Sequence, residues 1–196
     1  PEALRRNPRL VWEFYEQRRA NMQSVSPNPG HAAIAAMEKD FPEVVTITQN
    51  IDGLHQRAGS TRVLEIHGSL WKAHCLERCG HRADPFPYPA AELPPPCACG
   101  SILRPAVVLF GEMLPPGAIE ESADHAAGCD VCLVVGTSGV VWPAAGIPLI
   151  ARDAGRPTIE VNPEPTELSD ELDITLRGPS GKILPALLQR VRELRA

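Results

Sequence analysis

The segment DVCLVVGTSGVVWPAAGIPLIARDAGRPTIEVNPE, residues 130–164, decides the fold class. It begins with a continuously apolar strand that ends in GTS, continues with a helix that has Pro143 near its start, and closes with a strand that ends in VNPE. Strands that are apolar on both faces and are joined by a helix are typical of a parallel sheet covered by helices. We therefore predict an α/β protein built around a parallel sheet.

The same alternation of strands and helices continues on both sides of this segment. Asn7 and Pro8 are a favourable N-cap and first residue for a helix that reaches about Ser24, with Leu10, Val11 and Phe14 on one face. The other predicted helices are 31–41, with Ile34, Met37 and Phe41 as its apolar stripe, 116–128 and 182–195. Strands are predicted at 44–47, 62–69 and 173–181, and a strand or extended loop at 106–112.

Composition narrows the class of protein. The net charge is −5, which argues against nucleic acid as a direct partner and against an anionic membrane. No apolar run approaches the ~20 residues of a membrane span, and no signal peptide is recognisable. The compact, alanine- and proline-rich chain is typical of a prokaryotic cytoplasmic protein, and we expect a monomer.

Polar side chains collect where the predicted strands end. Gln49, Asn50, Asp52 and His55 follow the strand at 44–47, and GTS and VNPE end the two strands of segment 130–164. Ligands of open α/β sheets bind beyond the carboxyl ends of the strands, so these ends predict a site for a nucleotide-type cofactor. Turn formation by the same residues is an equally good explanation of this pattern alone.

Four of the six cysteines predict a structural zinc site. Cys75, Cys79, Cys97 and Cys99 form two pairs about 17 residues apart, each followed by a glycine that permits a tight turn around the metal. The C-x3-C and C-x-C spacings are irregular, so His74 or His81 could replace a thiolate. We expect Cys129 and Cys132 to be core residues despite their tidier C-x-x-C spacing, because free cysteine packs as a small apolar residue.

Six motifs in order resemble the sirtuin family of NAD-dependent protein-lysine deacylases. They are TQNIDGLHQRAG, EIHGSL, the paired cysteines, LRPAVVLFGE, GTSGVVWPAA and IEVNPEPT, and together they cover nearly the whole chain. The resemblance implies a Rossmann-type sheet domain, here 28–68 and 106–196, and a smaller helical and zinc-binding module, 1–27 and 69–105. It also implies a first strand and a glycine-rich loop for the NAD phosphates, which we expect to precede Pro1 in the natural protein.

The resemblance assigns roles to residues that match its motifs. NAD is the co-substrate: the acyl group moves from lysine to ADP-ribose, nicotinamide leaves, and His67 is the general base that takes a proton from a ribose hydroxyl. The implied NAD-binding residues are Gln49, Asn50, Ile51, Asp52, Gly136, Thr137, Ser138, Asn162, Pro163, Glu164 and Ser180. The implied contacts to the acylated-lysine peptide or protein are Val108, Phe110, Gly111, Glu112, Val140 and Val141.

Tyr15 and Arg18 suggest the acyl group. They are spaced i, i+3 on the first predicted helix, off the Leu10/Phe14 stripe, and a phenol beside a guanidinium suits a carboxylate. The pair resembles the class III-like sirtuins that remove malonyl or succinyl groups, although many prokaryotic members of that subclass also deacetylate. The competing hypotheses are a non-catalytic acyl-lysine-binding module and a mono-ADP-ribosyltransferase.

Overall fold

The computed structural model describes every residue from Pro1 to Ala196. The α-helices are α1 Glu2–Arg6, α2 Pro8–Gln23, α3 Pro29–Asp40, α4 Leu54–Ala58, α5 Ala118–Gly128, α6 Ile147–Asp153 and α7 Ser180–Arg195. The strands are β1 Thr46–Thr48, β2 Val63–Glu65, β3 Gly68–Cys75, β4 Arg82–Ala83, β5 Leu103–Val107, β6 Cys132–Val135, β7 Thr158–Asn162 and β8 Ile174–Arg177. None of the helices combines the length and apolar character needed to cross a bilayer.

The chain divides into two compact units. Unit 1 contains Pro1–Ser26, Thr48–Gly53 and Glu65–Pro115, and unit 2 contains Pro27–Ile47, Leu54–Leu64 and Pro116–Ala196. Unit 1 therefore holds α2 and the four paired cysteines, whereas unit 2 holds the strand–helix–strand segment at 130–164.

A parallel sheet forms the centre of unit 2, as predicted. Its strands are ordered β6-β7-β8, with Cys132 opposite Thr158 and Ile159 opposite Ile174. Val161 of β7 is fully buried and packs with Leu184 of α7. The polar ends of β6 and β7 consequently lie side by side at one edge of this sheet.

The N-termini of α3 and α7 meet in unit 2. The side chain of Asn28 accepts hydrogen bonds from the backbone N–H groups of Gly30 and His31 at 2.8 and 3.2 Å, and so caps α3. A Cβ atom on Gly30 would lie 3.0 Å from the backbone carbon of Ser180. A larger residue at position 30 would therefore require the first turn of α3 and the first residue of α7 to move slightly apart.

Unit 1 is built on an antiparallel sheet of order β4-β3-β5, with Gly68 opposite Val107 and Cys75 opposite Leu103. The long strand β3 was not predicted, because Lys72 and His74 interrupt its apolar pattern. The buried residues around it are Trp12, Ala73, Cys75, Phe86, Cys97 and Leu103. The cysteine-bearing segment thus shares a core with α2 through Trp12.

The buried face of α2 differs from the predicted one. Leu10 and Phe14 are 60% and 52% exposed, whereas Trp12, Tyr15 and Arg19 are buried. The indole N–H of Trp12 donates to the backbone carbonyl of Leu103 at 2.8 Å, which fixes the rotation of the helix. The predicted stripe was therefore wrong for Leu10 and Phe14, whereas Val11 is half-buried and packs beside Tyr15.

Candidate active site

The loop at 49–53 follows β1 and carries polar residues that the sequence predicts to bind a ligand. Its backbone is held by hydrogen bonds from β3. The backbone N–H of Leu70 donates to the carbonyl of Ile51 at 2.8 Å. The indole N–H of Trp71 donates to the carbonyl of Asp52 at 2.7 Å. Two hydrogen bonds from one strand therefore fix the backbone path of this loop.

His67 lies beside this loop, at the turn that leads into β3. Its Nδ1 atom is 3.1 Å from the carbonyl oxygen of Gln49, and its own carbonyl accepts a hydrogen bond from the N–H of Val108 at 3.0 Å. The next residue, Gly68, has φ +80°, and a Cβ there would lie 1.9 Å from the carbonyl oxygen of Ala106. The backbone that carries the His67 imidazole is therefore fixed by close contacts with the paired strand.

The segment after β5 forms a tight loop that is closed by an ion pair. The guanidinium of Arg104 donates to both carboxylate oxygens of Glu112, at 2.6 and 2.8 Å, and to the carbonyl of Val107 at 2.9 Å. Glu112 also accepts from the N–H of Leu109 at 2.9 Å. These hydrogen bonds, chiefly from Arg104, lower the pKa of Glu112 to about 2. Phe110, at the tip, is 99% exposed.

Tyr15 and Arg18 occupy different environments on α2. Tyr15 is 8% exposed and packs with Leu70 and Val107, and burial raises the pKa of its phenol even though Arg18 opposes the shift. Arg18 is exposed, and its guanidinium lies 4.7 Å from the ring centroid of Phe14. No carboxylate of the chain pairs with Arg18. The neutral phenol of Tyr15 is therefore close enough to the positive charge of Arg18 to interact with it electrostatically.

In unit 2, the ends of β6 and β7 are joined by hydrogen bonds. The N–H of Gly136, at φ +62°, donates to the carbonyl of Val161 at 3.0 Å. The side-chain amide of Asn162 donates to the carbonyl of Thr137 at 2.8 Å. The structure thus brings together the two polar strand ends that the sequence predicted to converge.

A buried carboxylate organises the loop that follows β7. Glu160 is 1% exposed and accepts hydrogen bonds from the hydroxyls of Thr166 and Ser169 and from Arg177. Burial alone would raise its pKa, but these bonds outweigh burial and hold the pKa below its ordinary value. Arg177 also donates to the carbonyl of Glu164 at 3.1 Å, so the loop carrying Pro163 and Glu164 is tied to the sheet.

The remaining candidate residues of unit 2 lie at its surface or near a helix start. Ser180 is the first residue of α7 and is half-buried. Val140 and Val141 are 51% and 43% exposed. Ser138, Pro163 and Glu164 are also exposed, so all these residues except Ser180 are accessible to a ligand.

The four paired cysteines form one cluster in unit 1. Their sulfur atoms all lie within 4.8 Å of one another: Cys75 and Cys99 are 3.6 Å apart, Cys79 and Cys97 are 3.6 Å apart, and Cys97 and Cys99 are 3.5 Å apart. Four sulfurs ~2.3 Å from a tetrahedral zinc ion would be about 3.8 Å apart. The thiols are free of disulfides, and the cluster fits a structural Zn²⁺.

The irregular cysteine spacing does not prevent this geometry. Gly80 and Gly100, which follow the two pairs, have φ of +93° and +88°, the left-handed turn that glycine permits. Because Cys97 and Cys99 themselves span a tetrahedral edge, neither His74 nor His81 is needed as a ligand.

Cys129 and Cys132 lie apart from this cluster, in unit 2. Both are half-buried free thiols, and the Cys129 thiol donates to the carbonyl of Ala126 at 3.1 Å. Burial raises the pKa of Cys132 to about 11, which keeps it protonated and disfavours metal binding.

Sequence reasoning missed four residues that build these elements: Gly68, Trp71, Arg104 and Arg19. Arg19, 1% exposed, donates to the carbonyls of Phe86 and Pro87 at 2.8 Å each. The spacing of Trp12, Tyr15 and Arg19 at i, i+3 and i+7 was a signal for the inward face, but a buried arginine is unexpected without its distant carbonyl partners.

The chain is similar in sequence to the Sir2 family and to NAD-dependent protein deacylases. The model of the Sir2 family matches residues 1–143. An NAD-dependent protein deacylase of Aquifex aeolicus is 45% identical over 194 residues, which are 98% of this chain and 81% of that protein. Another, from Ralstonia nicotianae, is 50% identical over 187 residues, 95% of this chain and 75% of that protein.

Solved structures share the fold over essentially the whole chain. A Sir2 homologue in complex with NAD superposes with a TM-score of 0.92 at 40% identity and covers 100% of this chain and 77% of that one. Sir2Af2 bound to a myristoylated histone peptide superposes with a TM-score of 0.81 at 42% identity and covers 99% of this chain and 84% of that one.

Proposed function

This chain belongs to the Sir2 family and is an NAD-dependent protein deacylase, and we propose that it prefers lysines carrying a succinyl or malonyl group. The observation that carries the proposal is the pairing on α2 of a buried phenol, Tyr15, with an exposed guanidinium, Arg18, that no carboxylate of the chain neutralises. Such a pair is free to bind the carboxylate of an acyl group.

The environments of the two side chains suit an acidic acyl group. The raised pKa of Tyr15 keeps its hydroxyl protonated, so it can donate a hydrogen bond to a carboxylate. Arg18 can donate two parallel hydrogen bonds to the same carboxylate, and such charge-assisted bonds are stronger than neutral ones. An acetyl group offers neither contact, and the pair therefore discriminates between acyl groups.

His67 is proposed as the general base. The carbonyl oxygen of Gln49 can only accept a hydrogen bond, so a bond to it requires that Nδ1 carry the hydrogen and leaves the Nε2 lone pair available for a proton. The general base of this reaction must remove a proton from a ribose hydroxyl near neutral pH, which suits a neutral imidazole.

NAD supplies the ADP-ribose that accepts the acyl group when its bond to nicotinamide breaks. In unit 1, Gln49, Asn50 and Asp52 offer amide and carboxylate groups for the nicotinamide carboxamide and ribose hydroxyls, on a loop held by β3. Amide and carboxylate groups are also the donors and acceptors that hydroxyls require, so the residues present fit this co-substrate.

In unit 2, the joined ends of β6 and β7 are proposed to bind the rest of NAD. Gly136, Thr137 and Ser138 would bind phosphate and ribose oxygens, and Asn162 the adenosine ribose. Polar groups that collect at the carboxyl ends of parallel strands support this assignment.

The substrate is proposed to be a protein or peptide with an acylated lysine. The exposed backbone and apolar tip of the loop after β5, with Phe110 and Gly111, offer main-chain groups for an extended peptide. A relative of similar fold has been solved with a myristoylated histone peptide, which supports this class of substrate.

The experiment compares succinyl- and acetyl-lysine versions of one peptide, with and without NAD, by mass spectrometry. Arg18→Met should lower kcat/KM for the succinyl peptide by about 10- to 100-fold, the value of a hydrogen-bonded charged group, and change acetyl turnover less than about threefold. Arg9→Met removes the same charge from an exposed position on the same helix and should leave both rates unchanged. Equal losses on both peptides with Arg18→Met would refute the acyl preference.

A further inference from the structure

The indole of Trp71 supports the C-terminal end of the loop at 49–53. Its N–H donates to the carbonyl of Asp52 at 2.7 Å. The neighbouring Gly53, at φ +75°, comes so close that a Cβ atom would lie 2.9 Å from the indole Cδ1. The loop backbone therefore rests directly on the edge of this ring.

Trp71 is itself held by the aromatic and charged groups around it. The guanidinium of the buried Arg19 lies 5.4 Å from the Trp71 ring centroid, and Tyr88 packs edge-on against the ring at 6.5 Å. Glu16 forms an ion pair with Arg19, and the N–H of Phe86 donates to the Trp71 carbonyl at 2.7 Å. An indole fixed on several sides transmits its position to the loop above it.

We propose that Trp71 is a positioning residue for nicotinamide: by fixing the carbonyl of Asp52, it sets the geometry of the Asn50–Asp52 backbone and hence the affinity for the nicotinamide end of NAD. The inference rests on the proposed role of this loop in binding nicotinamide. In this role Trp71 acts through the backbone of the loop, by its hydrogen bond to the carbonyl of Asp52.

Trp71→Phe tests this inference because it keeps an aromatic ring and removes the indole N–H. The carbonyl of Asp52 then loses its donor, and the loop relaxes. We expect KM for NAD and the inhibition constant of nicotinamide each to rise about fivefold, as for the loss of one hydrogen bond, while KM for the acyl peptide stays unchanged.

Trp12→Phe is the matched control. Trp12 also donates its indole N–H to a backbone carbonyl, that of Leu103 at 2.8 Å, and it is 1% exposed. The control variant therefore loses the same kind of bond from a more buried site in the same unit. Its thermal stability should fall at least as much as that of Trp71→Phe, whereas its NAD and nicotinamide constants should match the wild type.

A spectroscopic measurement provides a second readout that does not depend on turnover. In protein labelled with ¹⁵N at the indoles, addition of nicotinamide with ADP-ribose should shift the Nε1–H resonance of Trp71 and leave that of Trp12 in place. The Trp71→Phe and Trp12→Phe spectra assign the two resonances.

The outcomes separate this inference from the proposed function. Deacylation by the wild type with unchanged nicotinamide and NAD constants in Trp71→Phe, or with equal changes in both variants, would overturn the role of Trp71. A Trp71 resonance that nicotinamide does not move would also overturn it. Absence of NAD-dependent deacylation in the wild type would instead contradict the proposed function, and the spectrum would still report on Trp71.

Discussion

The imidazole of His67 is linked to the loop it is expected to serve: its Nδ1 atom lies 3.1 Å from the backbone carbonyl oxygen of Gln49. One hydrogen bond can thus set both the tautomer of the base and its distance from the amide-bearing loop. Since Gln49 belongs to the same loop as Asn50 and Asp52, a shift of this loop would also move the base.

Replacement of His67 should separate catalysis from binding. We expect His67→Ala to lower kcat by at least about 100-fold, because the ribose hydroxyl loses its proton acceptor, while NAD binding measured by calorimetry stays within a few-fold of the wild type. His125→Ala, at the last turn of α5, is the control and should be fully active. Full activity of His67→Ala would refute the assignment of the base.

Gly68 should tolerate no side chain. Its φ is +80°, and an alanine Cβ would lie 1.9 Å from the carbonyl oxygen of Ala106, a backbone atom of the paired strand. We expect Gly68→Ala to lower the free energy of unfolding by more than about 4 kcal/mol or to prevent folding. Gly117 has the same φ of +80° with no atom near its Cβ position. Gly117→Ala should therefore cost only about 1–2 kcal/mol, and comparable losses in the two variants would contradict the clash.

The cysteine cluster should bind one zinc ion per chain. We expect Cys97→Ser to remove zinc, measured by atomic absorption, and to lower Tm strongly, because the metal holds a segment that is poor in apolar residues. Cys132→Ser removes a thiol that lies outside the cluster and should retain the metal. Zinc retained at full stoichiometry by Cys97→Ser would show that this thiolate is not a ligand.

The Arg104–Glu112 ion pair predicts a specific pH dependence of stability. A carboxyl whose folded pKa is depressed stabilises the fold above its unfolded pKa, near 4.5, and loses that contribution as pH falls through the folded pKa, here about 2. The difference in unfolding free energy between the wild type and Glu112→Gln should be constant above pH ~5, reach at most about 3 kcal/mol there, and shrink towards pH ~2. Chemical denaturation at a series of pH values measures it, and a pH-independent difference would contradict the depressed pKa.

Local sequence signals predicted much of the fold. Asn7 and Pro8 begin α2, and the apolar strands around 132–135 and 158–162 pair in parallel as expected. These features depend on capping and strand patterns within a few residues. The rotation of α2 could not be predicted, because the burial of Arg19 depends on carbonyl groups at Phe86 and Pro87, far along the chain.

The candidate site was predicted to a similar extent. The cluster of Cys75, Cys79, Cys97 and Cys99 followed from composition and spacing, and the polar strand ends from their position. The supports of the site were not predicted: a tryptophan under Asp52 and an arginine that closes a loop on Glu112 have no short-range motif. These contacts depend on the tertiary structure around the paired strands β3 and β5, which no local sequence pattern predicts.

Arg18 and Arg19 are neighbours in sequence, yet α2 turns them about 100° apart, so one is exposed and the other buried. The exposed position should therefore tolerate substitution, whereas the buried position should not. Substitution of the exposed Arg18 should leave the fold intact, whereas substitution of Arg19 would remove the hydrogen bonds that it donates to the carbonyls of Phe86 and Pro87. A single residue inserted early in α2 would turn every later side chain by about 100° and would place Gln17 at the exposed position and Arg18 at the buried one, so this helix should diverge by substitution and rarely by insertion.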